Sequence, residues 1–545
     1  MSALRAWLYT ATADLRTRLR DRRLLMMVAA CVYLGHLVLA GRIELTLVDR
    51  SYRGAANAAW MGTVLSLTAA FLLALFGFYL VRGALARERQ GRTAPLVAAS
   101  PVRSVTYLFG KWTSGTLVLL LLAGSMAVSL AVLFVLQGNG LPAPAPLLTP
   151  FLLFVVPTAA VVTAVALAFE CLPGLGGTVG GILYFFGAVA AVVAPVLGST
   201  PVDLLGMGMI HDSMSRAVLA QYPEADPGAM FSFGYYRDPA EQLKTFQWDG
   251  IAVTAGLLAR RVGLVLASGA LVVGAALPFD RFDPSPAWRA TLNATLLGLN
   301  TSTEPGSLQA ASTEAPATAE PPTADPPSVS EGPPGSAAPG RPASHSSPGS
   351  LSDPVALSAP VALRPFGLFA AECRRALRRR SWTWRLGALI LLGAGLWWPA
   401  STGLLVVAWL WPMPLWSDLG ARETATRVEP LVASSLYPSA QRVAAWAVGA
   451  AAPLTLLAGP LLLGGHWRAL VGVLFVPALG LAAGRLSGTP RLFEVAYLVL
   501  WYVGVANRQA ALDFGGVAQA PWATLLGYSL AAMGLLAGAT WTRRS

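Results

Sequence analysis

Charged side chains are scarce in this chain. Asp, Glu, Lys and Arg make up 12% of its 545 residues, hydrophobic residues make up 55%, and the mean hydropathy is +0.58. Soluble globular domains carry roughly 25% charged residues, so the composition excludes an ordinary soluble enzyme. Of the 39 basic residues only Lys111 and Lys244 are lysine, a bias typical of a GC-rich bacterial genome. The sequence is that of a polytopic membrane protein.

Cysteine and histidine are also rare. Three cysteines, Cys31, Cys171 and Cys373, are too few for a disulfide framework. The four histidines are scattered, so no metal site is expected. A net charge of +12 on a soluble surface would suggest nucleic acid. Here the excess flanks apolar segments, which indicates a membrane and no nucleic-acid partner.

Long apolar runs dominate the rest of the sequence. A helix needs about 20 mostly apolar residues to cross a bilayer. Twelve such runs predict an all-α fold of twelve transmembrane helices in two groups of six: 24–41, 55–82, 113–137, 149–170, 177–197 and 257–278, then 386–399, 401–417, 443–464, 467–484, 491–506 and 520–541. Pro399, Ser401 and Thr402 divide the run 386–417 into a tight hairpin.

Arginine near the span ends predicts the orientation. Basic residues cluster in 1–23, in the loop after the second span, in 364–385 and at the end of the chain. All of these lie on one side if both termini are cytoplasmic in a bacterial inner (plasma) membrane. The segment 198–250 then lies outside and carries more acidic than basic residues. No cleavable signal peptide is evident, so the first span is expected to remain.

The two groups of spans are separated by a segment of different composition. Residues 300–362 contain thirteen prolines, and no aromatic residue occurs between Trp288 and Phe366. Such a segment buries too little apolar surface to offset the entropy of ordering. We therefore predict a first transmembrane half at 1–283, a disordered cytoplasmic linker at 284–362 and a second half at 363–545.

A repeated motif connects the halves. Residues 86–100 read ARERQGRTAPLVAAS and residues 421–435 read ARETATRVEPLVASS, with nine of fifteen positions identical. Chance would give about one or two matches. Each copy follows the second span of its half. The shared positions include Arg87, Glu88, Arg92, Pro95, Leu96 and Ser100 in the first copy, and Arg422, Glu423, Arg427, Pro430, Leu431 and Ser435 in the second.

An arginine-rich amphipathic stretch precedes the first span of each half. Apolar residues recur at helical spacing from Leu4 to Leu19 and again from Leu363 to Leu377, with arginines between them. Such a helix would lie in the membrane interface with its guanidinium groups among lipid phosphates. The alternative is a simple basic flank, which explains the charge but not the apolar stripe.

This order of elements resembles the membrane subunits of ABC-2 type exporters, which are powered by ATP-binding-cassette subunits. The segment RERQGRTAPLVAASPVRSVTYLFGKW looks like that family's first intracellular loop, where a short coupling helix meets the ATPase. The resemblance implies a transmembrane permease with both halves fused in one chain. It also implies a partner ATPase, one copy beneath each half, because no G-x-x-x-x-G-K-[ST] motif occurs here. No enzymatic activity or cofactor of the chain itself is implied.

Physical chemistry suggests a role for each part of the motif. Arg87 with Glu88 suits salt bridges that hold the loop at a fixed angle, and Pro95 interrupts a helix begun at the span end. Leu96 offers an apolar surface to a partner, and Ser100 before Pro101 suits the cap of a following helix. The second copy departs after Ser435, where LYPSAQRVAAW replaces PVRSVTYLFGKW.

Two other functions remain open at this point. A polytopic membrane enzyme acting on lipids or lipid-linked sugars would need acids or histidines clustered at one membrane face. An ion-coupled carrier would place ionisable groups at mid-membrane. Glu494 and Glu170 instead fall near span ends, and Arg491 beside Glu494 predicts an interfacial pair. The substrate cannot be identified from the sequence.

Overall fold

The computed structural model describes residues 2–47, 51–90, 93–137, 143–195, 203–225, 232–235, 243–279, 282, 364–425, 438–518 and 520–540. The described residues of both halves belong to one compact unit, Met1–Phe282 with Arg364–Ser545. The predicted linker 284–362 lies outside the described residues.

The first half is mainly helical. Its helices are α1 (Ala3–Leu19), α2 (Arg22–Leu39), α3 (Ala58–Leu72), α4 (Phe78–Val81), α5 (Ala84–Gln90), α6 (Ala94–Ala99), α7 (Ser104–Leu136), α8 (Pro144–Pro150), α9 (Val156–Cys171), α10 (Thr178–Val193), α11 (Met207–Gln221) and α12 (Ala255–Ala275). One turn of π-helix, Leu73–Gly77, joins α3 to α4, and another, Phe151–Val155, joins α8 to α9.

The second half is also helical. Its helices are α13 (Arg364–Arg378), α14 (Trp382–Trp397), α15 (Thr402–Leu410), α16 (Met413–Ala425), α17 (Pro438–Leu456), α18 (Ala458–Leu462), α19 (Leu470–Ser487), α20 (Arg491–Leu500) and α21 (Trp522–Thr540). A π-helical segment, Trp501–Ala506, extends α20. Helix α14 ends at Trp397 and α15 begins at Thr402, so the predicted hairpin in 386–417 is present. Ser401 caps α15 by accepting a hydrogen bond from the Leu404 amide at 3.4 Å.

Each predicted span range contains a helix, although their lengths differ. Within the described residues, seven helices are long and apolar enough to cross a membrane: Ala58–Arg89, Ser104–Leu136, Pro144–Cys171, Ala255–Ala275, Thr402–Thr424, Trp467–Ser487 and Trp522–Thr540. Two further helices, Ala3–Leu19 and Leu24–Leu39, meet at a bend of 78°. If this pair is counted as one span, the total rises to eight. Helix α10 is shorter, at 16 residues. The chain is therefore a mostly helical polytopic membrane protein.

Helix α7 begins nine residues before the predicted span 113–137. At 1.5 Å per residue its 33 residues extend about 50 Å, whereas the hydrocarbon core is about 30 Å thick. The extra turns contain Tyr107 and Lys111, which interrupt the apolar run in the sequence. Both are buried against other parts of the protein rather than exposed, so the helix continues through them.

Short strands make the all-α prediction incomplete. Strand β1 (Ile43–Thr46) pairs antiparallel with β3 (Ser232–Tyr235), with Ile43 opposite Tyr235. Strand β2 (Tyr52–Gly54) pairs in parallel with β4 (Lys244–Phe246). They join the loop after the first span to the predicted outer segment 198–250. Strands of three or four residues whose partners are about 190 positions away leave no periodic signal in the sequence.

Trp60 anchors this outer region to the spans. Its ring contacts Phe246 and Trp248 edge-on, with centroids 5.9 and 6.2 Å apart. Asn57 caps α3 by accepting from the Trp60 amide at 2.8 Å and donates to the Trp248 carbonyl at 2.8 Å. The outer segment is therefore fixed onto the start of the second span.

Candidate functional site

The first motif copy begins at the end of the second span. The backbone turns at Gly83, whose φ of +84° favours glycine, and α5 starts at the next residue. The Glu170 carboxylate of α9 accepts hydrogen bonds from the amides of Gly83, Ala84 at 3.1 Å and Leu85 at 2.8 Å. Glu170 thus satisfies amides that the helix leaves unbonded and fixes the direction in which α5 leaves the membrane.

Glu88 is held by a buried lysine. Its Oε1 lies 2.5 Å from Lys111 Nζ, and its Oε2 accepts a hydrogen bond from Thr93 Oγ1. Lys111 Nζ also lies 2.8 Å from Asp14 Oδ1, and Asp14 Oδ2 is 2.7 Å from Arg18 Nε. We call Asp14, Arg18, Glu88 and Lys111 the first charge cluster. It joins α1, α5 and α7, so the predicted salt bridge of the motif to neighbouring elements is present.

The apolar part of the first motif faces outward. Helix α6 carries Pro95 in its first turn, and Leu96 has 72% of its side chain exposed. Arg87 is half-buried in α5. Ser100 does not cap the following helix: its hydroxyl donates to the Val97 carbonyl at 2.8 Å and ends α6, while Arg103 precedes α7. The prediction for Ser100 was wrong because α7 begins only at Ser104, so Arg103 takes the position before the helix.

The second motif copy has its own ion pairs. Arg422 Nη1 lies 3.0 Å from Glu372 Oε2, and Glu423 Oε2 lies 3.1 Å from Arg442 Nη2. Glu372 also accepts from Arg375 Nη1 at 2.5 Å. We call Glu372, Arg422, Glu423 and Arg442 the second charge cluster. It joins α13, α16 and α17.

The two clusters share one plan. In each, the motif glutamate pairs with a cation near the start of the next long helix, and an acid of the amphipathic helix pairs with a cation of the cluster. The first half uses Lys111 for both acids, whereas the second uses Arg442 and Arg422 separately. The motif predicted Glu88 in the first cluster and Arg422 with Glu423 in the second, and it missed the partners Asp14, Arg18, Lys111, Glu372 and Arg442. A single acid among the arginines of each amphipathic helix was the available signal.

Part of the predicted site is outside the described residues. This applies to Arg92 in the first copy and to Arg427, Pro430, Leu431 and Ser435 in the second.

A buried ion pair connects the halves beside the first motif. Arg82 ends the second span of the first half, and its Nη1 lies 3.1 Å from Glu494 Oε2 in α20. Arg82 Nη2 also donates to the Gly176 carbonyl at 3.0 Å. The expected interfacial pair of Glu494 with Arg491 is therefore wrong. Glu494 is fully buried, and the cation that neutralises it comes from the other half, which sequence neighbours could not reveal.

A hydroxyl contact connects the halves at the corresponding place. Ser417 stands 335 residues after Arg82, the same offset that separates the motif copies. Its Oγ lies 3.0 Å from Thr178 Oγ1 at the start of α10. The second span of each half thus contacts the beginning of the fifth predicted span of the other. Between the two fifth spans, the rings of Phe185 and Tyr502 lie 5.7 Å apart.

One further ion pair lies within strands β1 and β2 of the first half. Glu44 Oε1 in β1 lies 3.1 Å from Arg53 Nη1. Burial raises the pKa of the Glu44 carboxyl, and Arg53 opposes the shift. Within the described residues, no group of three or more His, Cys, Asp or Glu could hold a metal ion.

Comparisons with known proteins place one part of this architecture. A search of curated proteins and a search of solved structures found no match. Residues 8–171 match the family model described as ABC-2 family transporter protein. The matched region runs from α1 to the end of α9 and includes the first charge cluster and the first motif copy. Over these residues the chain resembles the ABC-2 type permeases.

Proposed function

We propose that the chain is the permease of an ABC-2 type exporter, which moves a substrate across the membrane with energy from a separate ATP-binding subunit. One observation carries the proposal: the same charged motif follows the second span of each half and is tied by ion pairs to the next helix and to an amphipathic helix. The match of residues 8–171 to the ABC-2 family covers the first copy. Two copies of such a motif on one membrane protein suit a motor that acts in two copies.

The topology that goes with this function has twelve spans in two repeats of six. Both termini, the linker and both motif copies then lie in the cytoplasm of a bacterium, and the membrane is the inner (plasma) membrane. The ion pair between Arg82 and Glu494 supports a common side for the motif of the first half and the start of α20. The amphipathic helices α1 and α13 would rest among membrane lipids.

The first charge cluster explains how a push on the motif would reach the spans. A buried ion pair is costly to break by removing one partner, because the other charge stays out of water. Lys111 has 4% of its side chain exposed and pairs with Glu88 and Asp14. Movement of α5 therefore carries α7 and α1 with it, and Glu170 transmits the same movement to α9.

The coupling residues divide into two groups under this proposal. Glu88, Arg422 and Glu423 hold the motif to its own half through ion pairs, and Arg87 lies beside Glu88 in α5. Pro95 and Leu96 present the surface that an ATPase would bury, and Arg92, Ser100, Arg427, Pro430, Leu431 and Ser435 belong to the same two loops. Leu96 is the best residue for a test, because its side chain is mostly exposed and its replacement leaves the ion pairs of the first charge cluster in place.

The experiment compares Leu96→Glu with Leu136→Glu. Leu136 is 75% exposed and ends α7, so it matches Leu96 in residue type and exposure. The proposed topology puts it on the opposite side of the membrane from the motif. Purification of the tagged wild-type chain from native membranes should recover an ATP-binding subunit at about two copies per chain. ATP hydrolysis by that subunit should depend on the chain. Leu96→Glu should lose both properties, and Leu136→Glu should keep them.

Three outcomes would contradict the proposal. They are wild-type membranes that give no ATP-hydrolysing partner, equal losses in both variants, and turnover of a lipid substrate by the purified chain alone. The last would favour the membrane-enzyme alternative.

A further inference from the structure

Two polar contacts between the halves are equivalent in position but unequal in chemistry. We call the pair Arg82–Glu494 the charged contact and the pair Thr178–Ser417 the hydroxyl contact. Each joins the end of a second span to the beginning of a fifth span, and Arg82 and Ser417 are related by the 335-residue offset of the repeat. A symmetric transporter would open both contacts alike.

The charged contact resists separation. The Arg82 and Glu494 side chains are 6% and 0% exposed. Gly181 packs against the pair so closely that a Cβ there would lie 3.0 Å from Arg82 Nη1. If the halves parted here, the buried Glu494 carboxylate would lose the Arg82 guanidinium, and Arg82 would keep only its hydrogen bond to the Gly176 carbonyl. Removing one partner of a buried ion pair is strongly destabilising.

The hydroxyl contact separates at little cost. Ser417 Oγ also donates to the carbonyl of Pro414, one turn earlier in the same helix α16, at 2.9 Å. When the contact opens, Ser417 keeps that hydrogen bond, and only Thr178 needs a new partner, which water can supply. A neutral hydrogen bond exchanged with water changes the free energy modestly.

From this difference we infer that the halves move about a hinge: the charged contact stays closed throughout the transport cycle and the hydroxyl contact opens. Arg82 and Glu494 are then positioning residues of the hinge, and Thr178 and Ser417 line the side on which a path between the halves forms. The inference rests on the proposed transport function and adds which of two related contacts moves.

Reducible cross-links test which contact must open. In a background with Cys31, Cys171 and Cys373 replaced by alanine, one variant carries Thr178→Cys with Ser417→Cys and the other Arg82→Cys with Glu494→Cys. Both are bridged with a short bifunctional methanethiosulfonate in membranes containing the ATP-binding subunit. Bridging the hydroxyl contact should abolish chain-dependent ATP hydrolysis, and a reductant should restore it. Bridging the charged contact should leave the activity at or above that of the same variant before bridging, because the link replaces the ion pair at a contact that does not open. Equal inhibition by both bridges, or the reverse order, would overturn the inference.

Spin-label distances provide a test that leaves both contacts intact. Labels at Val179 and Thr424 flank the hydroxyl contact, and labels at Ala86 and Leu492 flank the charged contact; all four side chains are exposed. Trapping the nucleotide state should lengthen the first distance by several ångströms and leave the second unchanged. Equal lengthening of both would refute the hinge.

The two measurements separate this inference from the proposed function. If no ATP-binding subunit acts on the chain, the proposed function fails. The label-to-label distance distributions measured without nucleotide still show whether the halves move about a hinge. The hinge requires a broad distribution across the hydroxyl contact and a narrow one across the charged contact. Two equally narrow distributions would contradict it.

Discussion

Replacing Lys111 by methionine should loosen α1 from the rest of the first half. Lys111 Nζ is the cation between Asp14 and Glu88, and the lysine side chain is 4% exposed. Methionine keeps the length of the side chain and removes the charge. The variant therefore removes the electrostatic contact and leaves most of the packing.

The structure indicates the size of the effect. Removing one partner of a buried ion pair costs about 3–5 kcal/mol. Asp14 keeps Arg18 and Ser114 as partners, so the lower figure of about 3 kcal/mol applies, which is a change of roughly 150-fold in an opening equilibrium. Glu88 is 21% exposed and can be hydrated, so Glu88→Gln should cost less, about 1–2 kcal/mol.

Hydrogen exchange measured by mass spectrometry can follow this opening. Peptides covering α1 should lose protection in Lys111→Met, and peptides covering α13 should not change, because the second charge cluster is untouched. The double variant Lys111→Met with Glu88→Gln should lose less protection in α1 than the two single variants lose together. The difference corresponds to a coupling free energy of about 1 kcal/mol between the two side chains. The reasoning is refuted if α1 keeps its protection within about threefold, or if the loss in Glu88→Gln equals that in Lys111→Met.

Two further predictions concern other parts of the molecule. Gly420→Ala should destabilise the second half by about 3 kcal/mol, because a Cβ there would lie 2.1 Å from the Leu481 carbonyl oxygen in α19. Gly534→Ala, where a Cβ would meet nothing within 4 Å, should be neutral or slightly stabilising in the same thermal unfolding assay; similar losses in both would contradict the packing argument. Burial raises the pKa of Glu44, so the folded state holds this proton more tightly than the unfolded chain does. The pairing of β1 with β3 should therefore be most stable below the unfolded pKa, near 4.5, and weaken as pH rises through the raised value. Exchange protection of Ile43–Thr46, corrected for intrinsic rates, should show this trend, and Glu44→Gln should remove it.

The apolar runs located the helices well because lipid selects for long apolar segments. The split at Pro399 followed from the same reasoning together with turn chemistry. The start of α7 was placed late because Tyr107 and Lys111 look like a polar flank in one dimension. In three dimensions both side chains are covered by the remainder of the first half. A buried helix tolerates a charged residue that finds partners, as Lys111 does in Asp14 and Glu88.

The candidate site was predictable only where the sequence repeats itself. Arg87 with Glu88, and Arg422 with Glu423, were found because two copies could be compared. Their partners come from other helices with no shared spacing, and one copy uses lysine where the other uses two arginines. Glu494 was assigned to Arg491 because residues three apart on a helix are neighbours. Its actual partner, Arg82, is 412 positions away, a distance at which a single sequence carries no pairing signal.

The two small sheets distribute rigidity unequally within the protein. Strands from two distant loops clamp one end of the first half, and Glu170 with the first charge cluster clamps the other. A bundle fastened at both ends has few soft deformations and behaves as a frame. In the second half a shorter connection, described over 507–518, follows the fifth predicted span in the corresponding place, so strain delivered to the molecule would be released preferentially there.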